Sequence, residues 1–108
     1  MAEEGESYEC GVAELERLKR ERDFSLVVYA ESCPACEYLQ ELLGEVEVKG
    51  DLAELAIGGG EPCREAVRRL GVSAVPTVIK FKGGEEVDRF TPSMDRERDK
   101  KKLGELLG

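Results

Sequence analysis

The chain contains no histidine, no asparagine and no tryptophan, and Gln40 is its only glutamine. Without histidine, neither a Cys–His pair nor a Ser–His–Asp arrangement can be assembled within it. Positive charge is also short: 16 Lys and Arg stand against 24 Asp and Glu, a net charge of −8. Nucleic acids and anionic membranes select basic surfaces, so neither is expected as a partner. No apolar run is long enough to span a bilayer. The start, Met1-Ala2-Glu3-Glu4-Gly5-Glu6, is acidic and lacks the basic–apolar pattern of a signal peptide, so a cytoplasmic protein is expected. Few amides beside 37% charged residues make a thermophile-like bias. That bias bears on the cysteines, because intracellular hyperthermophile proteins are the exception to the rarity of cytosolic disulfides.

What is present points to one small α/β domain. A length of 108 residues with 41% apolar content suits a single modest core. Residues 1–9 read as an acidic flexible lead and 10–108 as the domain. Val12, Leu15 and Leu18 recur at near-helical spacing among charges between Gly11 and Arg22. Asp23 to Ala30 is a strand whose unbroken apolar run suggests burial on both faces. A helix follows to about Leu43, with Ala35, Tyr38, Leu39, Leu42 and Leu43 on one stripe and Gly44 as its left-handed cap. Asp51 to Ile57 is a second strand. Gly58-Gly59-Gly60 lacks the spacing and the Lys-Ser/Thr pair of a phosphate-binding loop and reads as a connection. Pro62 opens a third helix at its first position and Gly71 closes it. Thr77 to Lys82 and Glu86 to Phe90 form a hairpin across Gly83-Gly84. Ser93 is expected to cap a last helix from about Met94 to Leu107, with the mixed-sign run Asp95–Lys102 as a solvated face.

The chemistry concentrates at Cys33-Pro34-Ala35-Cys36, between the first strand and the second helix. Cys33 is placed at the N-cap with Pro34 at the first helical position, where its missing N–H costs nothing. Free N–H groups and the partial positive charge of a helix start favour a thiolate. Cys36, three residues on, shares a helix face with Cys33, so the sulfurs can meet. A stabilised attacking thiolate beside a resolving thiol is what disulfide exchange requires. A structural zinc site would need a second close pair or histidines, and Cys10 and Cys63 stand far apart; no metal is expected.

Two motifs together, Cys33-Pro34-Ala35-Cys36 at a helix start and Ala74-Val75-Pro76-Thr77 leading into the Gly83-Gly84 hairpin, resemble the thioredoxin superfamily. The likeness runs from about Val12 to Leu107. Pro34 directly after the first cysteine is similar to glutaredoxins and to small archaeal glutaredoxin-like protein disulfide oxidoreductases, while Phe81-Lys82-Gly83-Gly84-Glu85 is similar to thioredoxin. The resemblance implies a three-layer α/β sandwich, a mixed four-stranded sheet with helices on both faces. It implies a monomeric thiol–disulfide oxidoreductase without a cofactor, acting on disulfide-bearing proteins or small molecules and served by a thiol reductase or a small thiol. Cys33 would attack and Cys36 resolve; Pro76 would be cis, and Pro34, Val75 and Pro76 would form the substrate-binding surface.

The chain departs from thioredoxin in having Ser32 for the tryptophan before the first cysteine and Val27 for the buried acid of the central strand. Glu31 or Glu37 is then a candidate to assist proton transfer. In this fold the first and third helices share a sheet face, so Cys10 and Cys63 are either a structural disulfide, worth roughly 4 kcal/mol less any strain, or two thiols. A redox-inactive protein-binding module and a zinc-binding domain are the alternative functions.

Overall fold

The computed structural model describes residues 6–7, 12–30, 33–57 and 61–108, with side chains from Glu16 on except at 56 and 61–65. Along the chain stand β1 (Glu6–Ser7), α1 (Val12–Glu21), β2 (Phe24–Ala30), α2 (Pro34–Leu43), β3 (Asp51–Ile57), α3 (Glu61–Leu70), β4 (Thr77–Lys82), β5 (Glu85–Phe90) and α4 (Arg96–Leu107). The sheet order is β1-β3-β2-β4-β5. β2 and β3 are parallel, from Phe24 opposite Asp51 to Ala30 opposite Ile57. β4 runs antiparallel to β2 and β5 antiparallel to β4. The four expected strands are therefore present. The fifth, β1, comes from the segment read as a lead: Glu6 and Ser7 pair with Ala53 and Glu54 along the open edge of β3. Two residues carry no periodicity from which a strand can be read.

Alternation along the strands divides the interior into two cores. Leu26 and Val28 of β2, Ala53 and Leu55 of β3, and Ile79 and Phe81 of β4 pack with Leu18 of α1 and with Ala66 and Leu70 of α3. Val27 and Val78 point the other way, onto Leu39 and Leu42 of α2 and Leu103, Leu106 and Leu107 of α4. The central strand thus buries both faces, as its apolar run requires. The result is a three-layer sandwich.

The caps differ in part from expectation. Gly71 closes α3 in the left-handed region (φ 68°). Its N–H donates to Arg68 O, and that of Val72 to Val67 O, the paired bonds of a Schellman ending. α3 begins one residue before Pro62. Gly44 is not left-handed; it stays helical (φ −75°, ψ −12°) with its N–H on Gln40 and Glu41 carbonyls. The chain keeps turning there because Val46 and Val48 go on to pack against the α2–α4 core. The left-handed residue is Gly50 (φ 89°), at the entry to β3. Ser93 does not cap α4. Asp95 does, accepting from the Arg98 N–H, while Ser93 turns to Asp99. The run Asp95–Lys102 is not wholly solvated either: Asp99 is 2% exposed.

Candidate active site

β2 ends at Ala30, and the chain enters α2 three residues later at Cys33. Cys33 is the N-cap, with extended backbone (φ −117°, ψ 108°), and Pro34 opens the helix. The Cys33 carbonyl accepts the N–H groups of Cys36 (3.0 Å) and Glu37 (3.1 Å). Its Sγ also accepts from Cys36 N, at 3.2 Å. A sulfur at the cap of a ten-residue helix therefore faces N–H dipoles, which favour negative charge there. Cys33 and Cys36 are joined as a disulfide, their Cα atoms 5.1 Å apart. Cys33 is half-buried and Pro34 exposed, whereas Cys36 is 5% exposed. An incoming disulfide therefore meets Cys33 first.

The second motif lies at the same end of the sheet. Thr77 pairs with Val28 of β2, so Val75-Pro76 arrives where β2 leaves for Cys33. The Val75–Pro76 peptide is cis, as the resemblance implies. Thr77 Oγ1 donates to Ala74 O at 2.7 Å across the turn. Val78 pairs with Phe90, so the segment after β5 emerges at this end too. There Met94 is 59% exposed and holds a left-handed backbone (φ 71°).

Buried Asp99 organises that rim. Its carboxylate accepts from Ser93 Oγ (2.7 Å), Ser93 N (3.0 and 3.1 Å), Met94 N (2.9 Å) and the Tyr38 hydroxyl of α2 (2.6 Å). Burial pushes the Asp99 carboxyl up, but the bonds from Tyr38, Ser93 and Met94 together outweigh it and hold it below the usual value. Burial, the bond to Asp99 and its negative charge push the Tyr38 hydroxyl up to about 12. Sequence reasoning missed Asp99 because it sits in a charge run. The available signal was its spacing: Asp99, Leu103, Leu106 and Leu107 fall on one helix face.

Of the expected residues, Cys33, Pro34 and Cys36 come together at the start of α2, with Val75 and Pro76 at the same sheet end. Cys10 and the side chain of Cys63 lie outside the described residues, as does Glu31. Glu37 is exposed on the first turn of α2. Val27 is fully buried among apolar groups. In register beside it on β3 stands Glu54, half-buried, its carboxyl raised by desolvation. Among the described residues, no three His, Cys, Asp or Glu gather as metal ligands, and no helix is long and apolar enough to cross a membrane.

No protein-family model matches the chain. Mitochondrial thioredoxin-2 of Schizosaccharomyces pombe is 29% identical over 79 residues, 73% of this chain and 56% of that protein. The chain thus spans little more than half the length of this relative. Among solved structures, thioredoxin from Aeropyrum pernix is 26% identical at a TM-score of 0.59, covering 86% of this chain and 81% of that one. A mutant thioredoxin from Halobacterium salinarum shares the fold at a TM-score of 0.70 and 20% identity, over 96% and 92% of the two chains. Mitochondrial thioredoxin 3 of Saccharomyces cerevisiae, in its oxidized form, does so at 0.70 and 15%, over 95% of each. With its strand order, its cysteine pair at the start of α2 and these likenesses, the chain has the thioredoxin-like fold.

Proposed function

We propose that the chain is a dithiol–disulfide oxidoreductase acting through Cys33 and Cys36. The observation that carries this is the sulfur of Cys33 at the N-cap of α2, within 3.2 Å of the Cys36 N–H and bonded to the Cys36 sulfur. In the reducing direction the Cys33 thiolate attacks a substrate disulfide. One substrate sulfur leaves as a thiolate and the other stays bound to Cys33. The Cys36 sulfur, once deprotonated, attacks Cys33 Sγ; the Cys33–Cys36 bond forms and the second substrate thiolate departs. Two electrons pass from the dithiol to the substrate, and a reductase or a small thiol restores them. The same steps reversed make the protein an oxidant.

The half-buried Val75 and the cis Pro76 at the same sheet end support their use, with exposed Pro34, as the surface that receives an extended disulfide-bearing segment. The reaction needs no cofactor, and the chain is read as a cytoplasmic monomer. Turnover of a disulfide-bonded protein such as insulin, with dithiothreitol as electron donor, tests this reading. The parent protein accelerates reduction and Cys33→Ser abolishes the acceleration. No acceleration by the parent refutes the reading in favour of a redox-inactive binding module, and stoichiometric zinc in reduced protein refutes it in favour of a metal domain.

A further inference from the structure

The resolving step leaves a proton without an obvious destination. Cys36 is 5% exposed, and a buried thiol holds its proton more firmly than a free one. The chain has no histidine. Of the titratable groups around Cys36, Tyr38 of α2, Tyr29 of β2 and Asp99 of α4 line the α2–α4 core, Glu37 of α2 is exposed, and alternation puts Lys80 of β4 and Glu54 of β3 on the same sheet face. The Tyr38 hydroxyl is already donated to Asp99, and the Asp99 carboxylate is filled by donors from Tyr38, Ser93 and Met94. Arg96 and Lys100 of α4 pair with Glu41 and Glu45.

Glu54 differs from all of these. Ala53 and Leu55 point into the α1–α3 core and Leu52 into the α2–α4 core, so alternation puts Glu54 on the α2 side of the sheet. It stands level with Val27, which packs on Leu39, one turn beyond Cys36. Among the described residues no hydrogen bond or ion pair reaches its carboxylate, and burial raises its carboxyl above the usual value. A half-buried carboxylate with no partner among the described residues costs stability and asks for a role.

We propose that Glu54 accepts the proton of Cys36 in the resolving step, supplying from β3 the carboxylate that β2 lacks at Val27. This rests on the exchange reading above. The Cys36 S–H proton passes to the Glu54 carboxylate. The thiolate attacks Cys33 Sγ, the Cys33–substrate bond breaks, and the departing substrate thiolate or solvent takes up the proton that Glu54 then releases.

Rapid mixing of the reduced protein with dithiobis(nitrobenzoate), whose released thiolate is coloured, separates the two attacks. Cys33 releases the first thiolate and Cys36 the second; Cys36→Ser, which loses the second phase, assigns it. In E54Q the second phase slows roughly a hundredfold below pH 7, the low end of general-base effects. The deficit shrinks as the pH rises past the Cys36 thiol's own ionisation, which burial places above the ~8.5 of a free thiol. The first phase and the melting temperature do not fall, and E54D keeps part of the rate. An unchanged or faster second phase in E54Q, with a normal first phase, overturns this proposal alone, since a carboxylate that merely repelled the Cys36 thiolate would act in that direction. A parent protein without a first phase overturns the exchange reading and this one with it.

Discussion

Replacing Asp99 removes the acceptor at which α4, the segment after β5 and α2 meet. In Asp99→Ala, the N–H groups of Ser93 and Met94 and the hydroxyls of Ser93 and Tyr38 all lose their partner. Leaving a buried donor unsatisfied costs about 1–3 kcal/mol. Two backbone donors cannot rotate away, so their loss dominates; the hydroxyls can turn. Release of a desolvated carboxylate offsets part of the cost. The sum is about 3 kcal/mol, or roughly 12 °C in melting temperature at about 4 °C per kcal/mol. Asp99→Asn keeps an oxygen for Tyr38 and Met94 and turns its amide to Ser93 Oγ, so about half that loss is expected. Thermal melts followed by circular dichroism measure both. The pH dependence carries a sign. The Asp99 carboxyl is held below its ordinary value, so its contribution is present above the unfolded pKa of 3.8 and disappears as the pH falls through the lower folded value. The gap between parent and Asp99→Asn is therefore full at neutrality and closes in acid. Asp99→Ala melting within about 4 °C of the parent, or a gap to Asp99→Asn independent of pH, would refute the reasoning.

Three further outcomes are expected. Leu42→Ala, at a fully buried α2 position, lowers the unfolding free energy by about 3 kcal/mol in denaturant titration, within the usual range for such truncations. Gly83→Ala loses about 1–2 kcal/mol by the same assay: at φ 64° the cost is backbone strain alone, since a Cβ there meets nothing within 4 Å. Cys10 and Cys63 are proposed to be bridged, because α1 and α3 pack together on one sheet face. Peptide mapping of the oxidised protein should recover them as one cross-linked pair, and free alkylation of both would reject the staple.

Legibility in the sequence followed the range of each interaction. β2 was readable because Phe24–Ala30 buries both faces and leaves an unbroken apolar run. The cysteine motif was readable because a strand before it and Pro34 after the first cysteine impose a helix start locally. The α3 ending was equally local, since Gly71 provides the left-handed residue that the Schellman bonds require. Gly44 misled because a glycine after an apolar stripe signals a left-handed cap, whereas the demands of Val46 and Val48 on the α2–α4 core lie further along. Ser93 and Asp99 misled for a longer-range reason. Asp99 is buried by Tyr38, 61 residues away, and no local pattern distinguishes it from its solvated neighbours except its helix phase. Glu54 becomes distinctive only through the parallel register that sets it beside Val27.

The account turns on whether the start of α2 activates one sulfur of the pair. The direct test is the pH dependence of alkylation in the fully reduced protein, with each cysteine followed separately by mass spectrometry. The geometry at Cys33, an N-cap sulfur 3.2 Å from the Cys36 N–H, predicts a thiol pKa within the activated range of about 3.5–7.5, with Cys36 reacting only at higher pH. A Cys33 value near the ~8.5 of a free thiol, with Cys36 alkylated at the same rate, would contradict it.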